Sequence, residues 1–316
     1  MYYETAEKLL EFIRKSPTAF HAVDTMKKTL AGNGFQELSE KELWSLTPGG
    51  NYMVTRNNSA LIAFSIPEKA PYSFHIMASH SDSPTFKIKE NPEITVEKAY
   101  VKLNVEKYGG MLMSPWFDRP LSVAGRVVVR ENGELKEKLV DIDRNLLMIP
   151  SLAIHMNREV NSGYAYNPQK DLLPLYGTAG TKEPFGKLIA EAAGTSEENI
   201  LGHDLFLYNR VQGTVWGAER EFVSAGRLDD LQCAFASLEG FLSGGKKESI
   251  AVHCVLDNEE VGSGTRQGAA SAFLKDTLLR INSGLGRTYE EYLMCLADSF
   301  ICLLYTSDAA DDRISV

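Results

Sequence analysis

The chain opens with apolar residues at helical spacing. Between Thr5 and Ile13, Leu9, Phe12 and Ile13 fall on one stripe, which predicts a helix with a single buried face. Ser16-Pro17-Thr18 breaks that pattern and opens a second predicted helix carrying Phe20, Val23 and Leu30, ended near Gly32. Residues 60–66 (ALIAFSI) and 72–78 (YSFHIMA) read as buried strands, the second running into His80-Ser81-Asp82-Ser83-Pro84. From about residue 92 to 220 the texture changes to alternation. VEKAYVKLNV and RVVVRENGELKEKLV are typical, with Asn132-Gly133 as a hairpin turn. A helical period then returns in Leu228, Leu231, Phe235, Leu238 and Leu242. Residues 250–256 (IAVHCVL) form the short unbroken apolar run expected of a central strand buried on both faces. Gly262 to Gly264 is expected to turn the chain into another helix, present by Ala270, with a strand near Leu293 to Phe300. The pattern predicts an α/β domain interrupted by a mostly β domain.

Composition narrows the partners. Of 316 residues, 33 are basic and 42 acidic, a formal charge of −9, which argues against a nucleic-acid or anionic-membrane surface. No stretch approaches the ~20 apolar residues that span a bilayer, and residues 1–15 mix Glu and Lys with apolar residues, unlike a signal peptide. The four cysteines (Cys233, Cys254, Cys295, Cys302) form no C-x-x-C pair, so a reducing cytoplasm is the simplest setting.

Three sites can carry chemistry, and each follows the end of a predicted element. His80 and Asp82 end a strand, where period two puts both side chains on one side and lets Asp82 fix the tautomer of a ligand His. A strand-end His making an ordinary hydrogen bond is the plainer alternative. Arg227-Leu228-Asp229-Asp230 begins the helix through Leu242, where either carboxylate also suits a helix cap. Asp257-Asn258-Glu259-Glu260-Val261-Gly262-Ser263 follows the buried strand, at the carboxyl end where open α/β sheets place their sites. There one carboxylate can bind metal and its neighbour accept a proton, although a solvated acidic loop reads equally well. Together a His, a separate Asp and a Glu pair suit zinc or a similar divalent ion. His21, His75, His203 and His253 read as packing or hydrogen-bonding residues.

The motifs SPTAFHAV (16–23), SHSDSP (79–84), PWFDRPLSVAGRV (115–127), IPSLAIHMNR (149–158), GHDLFLY (202–208), SAGRLDDLQCAF (224–235) and LDNEEVGSGTRQGA (256–269) resemble, in order and spacing, the aspartyl aminopeptidases, family eighteen of the metallopeptidases. The resemblance implies a zinc-aminopeptidase-like fold. A central mixed sheet flanked by helices forms a catalytic domain over 1–91 and 222–300, interrupted by a β-rich oligomerisation insert over 92–221. It implies that His80 binds one of two divalent ions (Zn2+, with Co2+ or Mn2+ as alternatives), Asp229 bridges both and Glu260 binds the second. Glu259 would be the general base and Asp82 the support of His80. His155 resembles a His that reaches a neighbouring subunit's active site in a homo-oligomer, commonly a dodecamer. Asp230 stands where an Asn is usual. The implied activity is cytoplasmic two-metal removal of N-terminal, acidic residues from peptides. A non-catalytic oligomeric scaffold, or a di-metal deacylase or carboxypeptidase, are the other readings.

The family pattern continues after Ser299-Phe300 with further ligands, an Asp and later a His. Here ICLLYTSDAADDRISV follows instead. Residues 302–311 match the translation of a sequencing-library transposon end, CTGTCTCTTATACACATCT read from its second base, followed by GACGCTGCCGAC. The tail over 301–316 is therefore expected to be an adapter artefact. On that reading the catalytic domain is incomplete at its C-terminus, and the chain as given is inactive and less stable than a completed one.

Overall fold

The computed structural model describes residues 2–69, 73–244 and 248–304. The expectation for the tail lies, from residue 305 on, outside them. The chain folds as two compact units, 1–83 with 214–316, and 84–213.

The first unit begins with helices α1 (Tyr2–Arg14) and α2 (Ala19–Gly32), followed by β1 (Gln36–Leu38), β2 (Asn51–Arg56), β3 (Ala60–Ser65) and β4 (Phe74–His80). The second unit holds β5 (Thr85–Val96), β6 (Tyr100–Tyr108), β7 (Leu121–Glu131), β8 (Glu134–Asp141), α3 (Pro168–Asp171), β9 (Leu175–Thr178), α4 (Phe185–Ala192) and β10 (Ile200–Asn209). The chain then completes the first unit with β11 (Thr214–Trp216), β12 (Phe222–Ser224), α5 (Leu228–Ser243), β13 (Ile250–Leu256), α6 (Phe273–Gly284), α7 (Tyr289–Ala297) and β14 (Phe300–Leu303). The division thus falls at Pro84 and Gly213, where sequence texture suggests 92 and 221. All of β5 pairs within the second unit's sheet, whereas β11 and β12 belong to the first.

Among the described residues the first unit's main sheet runs β1-β2-β3-β13-β4-β14. It is mixed, because β13 is parallel to β4 and antiparallel to β3. Residues of alternate parity feed two cores. Met53, Leu61, Ala63 and Val255 pack toward α1, α2 and α5. Tyr52, Val54, Ile62, Phe64, Val252 and Cys254 pack toward α6 and α7. Burial on both faces is why β3 and β13 are unbroken apolar runs with no alternation to read.

The second unit's sheet, β8-β7-β10-β5-β6-β9, is antiparallel throughout and covers its own core of Phe86, Val105, Val127, Leu147, Phe185 and Leu207. Asn132 and Gly133 both take positive φ, 53° and 82°, joining β7 to β8 in the geometry a two-residue hairpin requires.

Two sequence expectations are corrected. The helix after Gly264 starts only at Phe273, because residues 263–272 are held in turns. Ala270 N donates to Ser263 O, and Gly268 lies so close to Ser263 O that a Cβ would collide with it. Leu293 lies on helix α7, not on a strand; the strand is Phe300–Leu303, parallel to β4. Leu293, Met294, Phe300, Ile301 and Leu303 are exposed apolar residues of this end of the unit.

Candidate metal centre

The parallel strands β4 and β13 end level with one another, His80 standing in register with Leu256. Ser81 locks the two ends together: its N–H donates to Leu256 O at 2.8 Å, and its hydroxyl donates to Ser59 O at 2.7 Å. His80 and Asp82 leave one strand and Asp257 to Glu260 leave the other, so both groups reach the same carboxyl-end crevice.

His80 is 2% exposed and Asp82 4%. Asp82 Oδ1 lies 3.2 Å from His80 Nδ1, a contact that engages one ring nitrogen and leaves Nε2 to face the crevice. The same carboxylate accepts the backbone N–H of Glu259 and of Glu260, each at 3.2 Å. Asp82 therefore ties the two strand ends into one site.

The third contribution comes from the start of α5, which is not regular helix. Asp229 (φ −82°, ψ 110°) and Asp230 (φ −114°, ψ 20°) depart from helical geometry, and the peptide bond between them is cis. Arg227 just before them takes left-handed backbone, φ 61° and ψ 25°, and its side chain does not cap the helix. Arg227 holds the turn in place, its guanidinium donating to Ile13 O and Ser16 O at the end of α1. Asp230, fully buried, accepts the His80 backbone N–H at 3.0 Å.

His80 Nε2 consequently faces three carboxylates: Asp229 Oδ1 at 3.6 Å, Asp230 Oδ2 at 3.7 Å and Glu259 Oε2 at 3.9 Å. These separations are too long for hydrogen bonds. Two atoms each about 2.1 Å from a shared zinc lie at most ~4.2 Å apart, so the spacing fits ligands of one ion. His80, Asp229 and Asp230 offer ligand atoms all within 4.8 Å of one another. The electrostatics agree. Burial pushes Glu260 up to about 8, helped by Asp82 and Asp229, and pushes Asp257 up to about 7, helped by Asp82. Burial also raises Asp230, against the pull of His80. His80, despite burial that disfavours its charge, is pushed up to about 11 by the Asp229 and Asp82 carboxylates. Negative charge is crowded here beyond what one imidazole relieves, and a divalent cation suits that surplus.

The structure thus brings together His80, Asp82, Asp229, Glu259 and Glu260. It adds Asp230, which sequence reasoning treats as a candidate helix cap and as a departure from the usual Asn after Asp229. Its adjacency in Leu228-Asp229-Asp230 is the one signal available, and the non-helical backbone that turns both carboxylates to His80 leaves no periodic trace. His155 lies in the 84–213 unit, exposed, in the turn-rich stretch 151–166. Of the other histidines, His21 contacts Thr18, His75 contacts Ser249 and His253 contacts Ser237, while His203 Nδ1 is buried without a hydrogen-bond partner.

Comparison with known proteins follows the same line. The profile of the family described as "Aminopeptidase I zinc metalloprotease (M18)" matches residues 12–310, a span that passes Phe300. A Clostridium acetobutylicum protein named "Probable M18 family aminopeptidase 2" is 47% identical over 97% of this chain and 72% of its own length. The structure of an Ape4 and Nbr1 complex matches with a TM-score of 0.88 at 34% identity, over 94% of this chain and 62% of that one. The S. cerevisiae mApe1 dodecamer matches with a TM-score of 0.81 at 28% identity, over 95% and 71%. This chain thus spans between 62% and 72% of the length of these relatives. With a profile match across most of its residues and close to half its positions identical to a curated relative, the chain belongs to the M18 family of aminopeptidase I zinc metalloproteases.

Proposed function

We propose that the chain carries the centre of a two-metal aminopeptidase that removes N-terminal residues, acidic ones by preference, from peptides. The observation that carries this reading is His80 Nε2, set by Asp82 and facing Asp229, Asp230 and Glu259 at 3.6–3.9 Å. His80, Asp229 and Glu260 would hold the ions, Asp229 between them, with Asp230 beside His80. When bound, divalent ions supply Lewis-acid polarisation of the scissile carbonyl and make water more acidic. The chain's own part is positional and protonic. Asp82 orients the imidazole and the backbone of the Glu pair, and the Glu259 carboxylate accepts a proton from water and returns it to the departing amine nitrogen. The dodecamer named for the S. cerevisiae relative supports a homo-oligomer, to which the 84–213 unit and His155 would contribute.

Isothermal titration of Zn2+ or Co2+ into the 316-residue chain tests the reading. Binding is expected for the wild type, with strong loss in His80→Ala and Asp229→Ala. A wild type that takes up no divalent metal leaves the non-catalytic scaffold as the better account. Release from peptides with N-terminal Asp, Glu or Leu then tests the substrate preference. Sequencing the source DNA past the codon for Phe300 tests the adapter reading of the tail.

A further inference from the structure

Beyond Leu256 the chain must leave a buried strand and present two adjacent carboxylates to His80. It does so in one turn of 3₁₀ helix, Glu259–Val261. Such a turn has little stability of its own, since it closes on short-range backbone bonds such as Gly262 N to Glu259 O at 2.9 Å. Asp82 holds it from the side of β4. On the opposite side the contacts converge on one residue. Asn258 takes left-handed backbone, φ 61° and ψ 27°, which Asn tolerates better than other side chains do. Its carbonyl accepts the N–H of Ser263 at 2.8 Å and of Val261 at 3.3 Å. Its side-chain oxygen accepts the Thr265 hydroxyl at 2.7 Å and the Gln267 amide at 2.8 Å. The Asp257 N–H donates to Gln267 O at 3.1 Å, closing the same loop through the main chain. Glycine would satisfy the backbone of this turn equally well. The carboxamide therefore has a separate task, which is to gather donors from seven and nine residues downstream.

We propose that Asn258 is the positioning residue of the Glu259–Glu260 pair, its side-chain oxygen clamping Thr265 and Gln267 so that both carboxylates are held ready for metal. The inference rests on the metal-centre reading above and adds to it a residue that touches neither ion nor substrate. Partners of metal ligands typically account for about 10–100-fold in metal affinity.

The test is Co2+ binding to the 316-residue chain, followed by titration and by the visible absorption of the bound ion. Asn258→Gly keeps the left-handed backbone and removes only the clamp. It should bind Co2+ about 10-fold or more weakly, with an altered spectrum and a thermal midpoint of the metal-free protein close to wild type. Thr265→Val should share the loss, and Thr265→Ser, which keeps the hydroxyl, should restore wild-type binding. Wild-type affinity and spectrum in Asn258→Gly overturn the inference, as does a loss that Thr265→Ser reproduces, which marks general loosening. If Asn258→Gly fails to fold, Thr265→Val and Gln267→Met decide, and undiminished binding in both overturns the proposal. A wild type that binds no Co2+ overturns the metal-centre reading and this inference with it. A wild type that binds, beside an equally competent Asn258→Gly, removes this inference alone.

Discussion

His253 lies in the middle of β13 with no exposed surface, its Nδ1 3.1 Å from Ser237 Oγ, its ring stacked on Phe241 at 5.8 Å and its Nε2 unpartnered. Burial pushes it down to about 3. The unfolded chain takes up this proton near pH 6.5 and the folded one only near 3, so its neutral form supports the fold fully above 6.5 and progressively less as pH falls through that window. The slope is at most about 1.4 kcal/mol per pH unit. Urea midpoints from pH 7 to 5 should therefore fall faster for wild type than for His253→Phe, which cannot titrate; parallel falls would count against this account. Its packing role was legible from the apolar run around it. The same holds for His80 and Asp82, whose spacing of two on a strand end announces the pairing. Asp230 and Asn258 were not legible in their roles. Both depend on backbone that is neither helix nor strand, and on partners 150 residues away for Asp230 and nine for Asn258.

Helix α7 shows how a local signal outweighs composition. Leu293 to Phe300 is apolar enough to suggest a strand, and only its N-terminus settles the matter. Thr288 Oγ1 accepts the Glu291 N–H at 3.3 Å, and the Glu291 carboxylate accepts the Thr288 N–H at 2.7 Å, a reciprocal capping box. The T-x-x-E spacing was present in the sequence and goes unused if only periodicity is followed. Thr288→Ala should cost about 1 kcal/mol, measured by urea unfolding, and Thr288→Ser should recover most of it. An unchanged midpoint in Thr288→Ala would mean that Tyr292 and Cys295, buried against the sheet, hold the helix without its cap. The strands were easier. β3 and β13 are central and apolar, and the β7–β8 turn has the two residues whose positive φ the geometry demands.

At the scale of the molecule, the sequence reveals an α/β unit interrupted by a β-rich one, but not the order of strands, because pairing between distant segments leaves no mark on spacing. β13 enters the sheet between β3 and β4, which precede it by the whole 84–213 unit. The metal centre inherits that topology: the His80 N–H meets Asp230 Oδ2 across 150 residues of chain. Closing a flexible loop of that length costs roughly 4 kcal/mol in chain entropy. Contacts of such long range form late, after the local hairpins and helices that bring the ends into reach. The centre is thus a product of folding and not its nucleus, and an ion bound there has nothing to grip at the transition state. In stopped-flow measurements Zn2+ should slow unfolding and leave the refolding rate nearly unchanged, so that metal prolongs the life of the folded chain without hastening its birth. A refolding rate that climbs with Zn2+ would place the closure of His80 on Asp229 and Asp230 early instead.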